Sequence, residues 1–112
     1  MTDRELLEAA AKAAGIVGEV DEFYLRLGDS VPILGINNET GAWFPLTDDG
    51  DALRLAVDLN LVIEIQKETG SVWVSDNDVG QLENPAPDAD WHAATRRAIV
   101  RAAAAIATKG ER

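Results

Sequence analysis

The sequence predicts a single α+β domain, an antiparallel sheet of four or five strands carrying three helices in the order α-β-β-β-α-β-β-α. Three observations predict it. Thr2 and Glu5 form a T-x-x-E capping box ahead of an apolar stripe at Leu6, Leu7, Ala10, Ala13 and Ala14. Trp43 and Phe44 run into Pro45, after which Ala52, Leu55, Ala56 and Leu59 recur at helical spacing. Residues 61–67 and 71–75 flank Glu68, Thr69 and Gly70 as the two arms of a hairpin.

Taken in order, the first helix spans about residues 3–14, with Asp3 at the positive end of its dipole and Gly15 as its stop. Short strands follow at 23–27 and 31–36 around a turn at Gly28, Asp29 and Ser30. Pro32 belongs at a strand start or an edge, because it has no N–H for a ladder. Turn formers from Asn37 to Gly41 lead to a third strand at 42–44. Thr47 is the expected N-cap of the central helix, with Asp48, Asp49 and Asp51 in its first turn, and Asn60 suits a left-handed residue at its end. In the hairpin, Trp73 faces opposite to Val72 and Val74. Residues 76–90 read as one long polar loop. Asp88 is the expected N-cap of the last helix, which carries Ile99, Ala102, Ala103 and Ile106 to about residue 108, before Gly110. Trp43 and Trp73 are expected in the core, and Trp91 beneath the long loop.

Charge narrows the function. The net charge is −10. Residues 17–90 hold sixteen acidic and three basic side chains, whereas residues 91–112 hold five basic and one acidic. Such a field serves solubility, its simplest reading, and it repels nucleic acid and favours basic partners, so no direct nucleic-acid binding is expected. The absence of cysteine excludes disulfides and thiolate metal sites. No run of about 18 apolar residues occurs and the first residues are polar, so no membrane association and a cytoplasmic location are expected.

Catalytic devices are missing. No phosphate-binding glycine loop and no G-x-S-x-G elbow occurs, and His92 is the sole histidine. Asp76, Asn77 and Asp78 begin a faint calcium-loop pattern, but Gly80 and Pro87 stand where oxygen ligands are needed. Asp48, Asp49 and Asp51, completed by Asp76 or Asp78, are a conceivable carboxylate metal site. Helix capping explains the first three more simply. Arg96, Arg97 and Arg101 are expected to pair with the chain's own carboxylates, such as Asp90 or Glu64. No enzyme, cofactor or metal is expected.

Three segments carry a resemblance: residues 1–16, residues 45–57 and residues 93–103. They resemble small tailed-phage and prophage proteins of unknown role, and the order of elements resembles the phage α-β-α sandwich domain. Residues 17–40 carry none of that pattern, and its Trp-Asn-Pro-Leu motif reads Trp43, Phe44, Pro45, Leu46 here. The resemblance implies a fold and a phage-derived setting, with no catalytic residues. The expected role is a non-enzymatic phage accessory protein that binds a host or phage protein. Its candidate interaction surface is Asp48, Asp49, Asp51, Asp76, Asp78 and Trp91. The alternatives are an acidic inhibitor occupying a nucleic-acid-binding surface and, third, a carboxylate-metal hydrolase.

Overall fold

A computed structural model describes residues 1–24, 28, 31–39, 41–78 and 80–110. It is α+β, with three helices and two three-stranded antiparallel sheets. In chain order the elements are α1 (Asp3–Ala14), β1 (Gly18–Phe23), β2 (Ile33–Asn38), β3 (Gly41–Trp43), α2 (Asp49–Asp58), β4 (Val62–Gln66), β5 (Ser71–Ser75), β6 (Gly80–Glu83) and α3 (Trp91–Gly110). One sheet has the order β1-β2-β3 and the other β4-β5-β6.

The expected single sheet is therefore two. Each is a meander closed by its own turns, and α2 intervenes between them. At the end of β3 the ladder stops: Asp51 accepts the Phe44 N–H at 2.9 Å, and Pro45 follows.

α1 forms as its caps dictate. Thr2 Oγ1 accepts from Glu5 N at 3.1 Å, Glu5 returns a carboxylate oxygen to Thr2 N at 2.9 Å, and Gly15 closes the helix at φ 73°. The backbone bond from Thr2 lowers the Glu5 carboxyl below its usual range. α2 begins one residue later than expected. Asp48, not Thr47, is its N-cap, accepting from Asp51 N at 2.8 Å. Asn60 takes the left-handed conformation expected of it. α3 also begins later than expected. Asp90 accepts from Ala93 N at 3.0 Å, so the cap is Asp90 rather than Asp88.

Three further corrections concern the strands. The first runs over Gly18–Phe23, not 23–27; Tyr24 lies outside it, and residues 25–27, like Asp29 and Ser30 of the expected turn, fall outside the described residues. Its acidic sequence hides the pattern, but Val20 stands opposite the buried Ile36. The stretch 76–90 contains a strand, β6, in which Leu82 stands opposite Trp73. Trp73 itself is on the outer face and 39% exposed, while Val72 and Val74 are fully buried; the predicted alternation holds and the predicted core position does not.

α3 is the spine. It packs against α1, α2, β5 and β6, and α1 in turn rests on β1 and β2. Ala98, Ile99, Val100, Ala102, Ala103, Ala104 and Ala107 are all buried, so this helix is apolar on several sides because it has neighbours on several sides. Leu7, Ile36, Trp43, Leu55, Val72 and Val74 are the larger side chains packed with it in the core. No helix among the described residues is long and apolar enough to cross a membrane.

Candidate functional site

An apolar groove between the second sheet and the helices is left half covered. α3 lies over β5 and β6, so Val72 and Val74 are sealed. β4 is left at the margin: Ile65, paired with Val72 on the same inner face, remains 50% exposed. α2 forms the opposite wall through Ala52 and Leu53, and Leu53 is 58% exposed. Ile63, Trp91 and Ile99 floor the space between, a groove of about 450 Å³.

Charged groups stand on its rim in pairs. Asp49 Oδ1 accepts from Arg96 Nη1 at 2.6 Å, and Asp49 Oδ2 lies 3.1 Å from His92 Nδ1. Arg96 also donates Nε–H to the Leu46 carbonyl at 2.9 Å, tying α3 to the segment that leads into α2. The Arg96 hydrogen bond, reinforced by His92, holds the Asp49 carboxyl below its usual range. Lys67 Nζ sits 5.9 Å from the Trp91 ring centroid, a cation–π distance. The groove thus offers contact area and a few polar handles, the usual make-up of a recognition site.

A larger cleft, about 740 Å³, lies where the α1–β1 connection faces α2. Its walls include Glu39, Asp51, Arg54 and Asp58, and Asp51 is already committed to the Phe44 N–H and to Arg54 at 2.7 Å. Its charged walls suit water better than an apolar ligand.

The structure divides the surface expected from sequence. Asp48, Asp49 and Asp51 gather at the start of α2, and Asp49 and Trp91 share the groove. Asp76 and Asp78 instead hold Lys109, at 3.4 and 2.8 Å. Arg96 and Lys109 are thirteen residues apart on α3, which is about 20 Å of helix, so the two acidic groups stand at opposite ends of it. At the start of α2, Asp49 faces Arg96 and His92 while Asp48 and Asp51 share Arg54, and among the described residues no group of three or more His, Cys, Asp or Glu is placed to hold a metal ion.

The arginines of α3 pair with the chain's own carboxylates, as expected, but not with Asp90 or Glu64. Arg96 takes Asp49, Arg97 takes Asp3 at 2.7 Å, and Arg101 takes Glu83 at 2.7 Å. Leu53, Ile65 and Lys67 are groove residues that sequence reading missed. One available signal was Leu53 and Val57, an i, i+4 apolar pair lying off the predicted buried stripe. No family model, no curated protein and no solved structure matches this chain.

Proposed function

We propose that this chain is a non-enzymatic protein-binding module that takes an apolar segment of a partner protein into the groove between α2, β4 and α3. The observation that carries the reading is the exposure of Leu53 and Ile65 across one groove floored by Ile63, Trp91 and Ile99. Apolar side chains left open beside one another at a concave surface gain most by burial against another protein. The resemblance of residues 1–16, 45–57 and 93–103 to small phage proteins supports a phage or prophage accessory setting. The acidic-inhibitor alternative is supported less, because five of the acidic side chains of residues 17–90, Asp48, Asp49, Asp51, Asp76 and Asp78, are drawn into pairs with Arg54, Arg96 and Lys109.

The test is affinity capture from bacterial lysate on the immobilised chain, beside a Leu53→Glu variant whose substituted side chain is solvent-exposed. A protein held by the wild type through high salt and lost from Leu53→Glu supports the groove. Equal retention by both chains contradicts it.

A further inference from the structure

The two sheets expose four edge strands, and three of them are protected against pairing with another chain. β1 carries Glu19, Asp21 and Glu22 exposed, and the Arg4 guanidinium reaches the Val20 carbonyl at 3.5 Å. β3 has only three residues before Asp51 captures the Phe44 N–H. β6 has four residues, points the charged Glu83 inward to Arg101, and gives its Leu82 carbonyl to the same guanidinium at 3.0 Å. β4 carries a single exposed charge, Glu64, and none of the other devices. It reads Val62, Ile63, Glu64, Ile65, Gln66, with no proline, glycine or lysine. From Val62 to Ile65, no side chain among the described residues bonds its backbone.

We infer that β4 is a strand-accepting edge, and that its occupant is an extended partner segment alternating apolar and basic residues. The inference rests on the groove reading above and specifies how the groove is filled. An added strand beside β4 alternates its side chains between the two faces of the sheet. On the inner face they enter the groove beside Ile63 and Ile65, within reach of Leu53 and Trp91. On the outer face they stand beside Glu64, which is exposed and forms no ion pair among the described residues. A lysine or arginine there meets an opposite charge, consistent with a chain of net charge −10. The same charges disfavour a second copy. Glu64 is the middle residue of β4, so a two-fold antiparallel pairing centred on it sets two glutamates directly opposite.

The experiment titrates the isotope-labelled full chain with a short synthetic peptide alternating valine and lysine, following amide shifts and hydrogen exchange. A control peptide alternates valine and glutamate. The expected result is slowed exchange at alternate amides of β4, no binding of the glutamate peptide, and loss of binding in Ile65→Lys, which points a charge into the groove. Glu64→Lys, at an exposed position, weakens binding about fivefold, the scale of one reversed cross-strand charge pair. Absence of binding overturns strand addition, and so does binding that shifts α2 and α3 without slowing β4 exchange. In both cases the groove reading is still judged by the Leu53→Glu capture. Equal binding of the glutamate peptide overturns the basic character of the partner.

Discussion

Arg96 and Asp49 meet at 2.6 Å across the junction of α2 and α3, and the same guanidinium holds the Leu46 carbonyl at 2.9 Å. One side chain thereby fixes the wall of the groove to its floor. Arg96 is largely sheltered, with a side chain 15% exposed, whereas Asp49 is mostly in solvent. The energetic weight of the contact falls on the sheltered partner and its backbone bond.

Arg96→Met keeps the aliphatic stem and removes the hydrogen bonds. It is expected to destabilise the fold by about 1–2 kcal/mol, the cost of leaving a partly buried carbonyl unpaired. Urea denaturation checks this: the midpoint should fall with an unchanged slope.

Acid should act through Asp49. Its folded-state carboxyl titrates below the ordinary 3.8, first through Arg96 and then through His92. A depressed carboxylate stabilises the fold above its unfolded value, and that contribution is lost as pH falls through the folded value. The stability difference between wild type and Asp49→Asn should therefore be present at neutral pH, shrink as pH drops below about 4, and vanish at lower pH. Denaturation curves across that range measure it.

Gly80 is required by Trp73. A Cβ at Gly80 would fall within the indole, 2.8 Å from its Cε2 and nearer still to Cζ2 and Cη2. Gly80→Ala should push the ring off β6 and cost about 1–3 kcal/mol, the range for overpacking. Tryptophan fluorescence should shift to the red as the ring gains solvent. Phe44 lies over Gly35 in the other sheet in a comparable way, with Cε1 2.6 Å from a Cβ built there.

Removing the Thr2 cap tests the first helix. Thr2→Ala should lower stability by about 1 kcal/mol. Because α1 packs against α3, the loss should appear in global unfolding rather than as fraying alone, and thermal melts followed at 222 nm, the standard helix band, would separate the two.

The helices were legible because their signals are local. The Thr2–Glu5 box, the Gly15 stop and the stripe from Ala52 to Leu59 each lie within a few residues. The β4–β5 hairpin was legible for the same reason. β1 was not, since Glu19, Asp21 and Glu22 mask a strand whose evidence is its pairing with β2. β6 escaped because four residues with Gly80 at the front carry little pattern until Trp73 lies over them. The division into two sheets depends on where α2 inserts, a tertiary matter. The groove was half legible: Asp49 and Trp91 were singled out, but Ile65 looks like any core residue until α3 is seen to stop short of β4.

The measurement closest to the central claim is hydrogen exchange of the chain alone and with the partner captured from lysate. Protection should appear in β4 and in the groove-lining parts of α2 and α3, namely residues 49–53, 62–67 and 91–99. β1 and the Asp76–Lys109 end of α3 should exchange as before. Protection confined to β1, β3 or that far end of α3 would contradict the claim and place the partner elsewhere on the molecule.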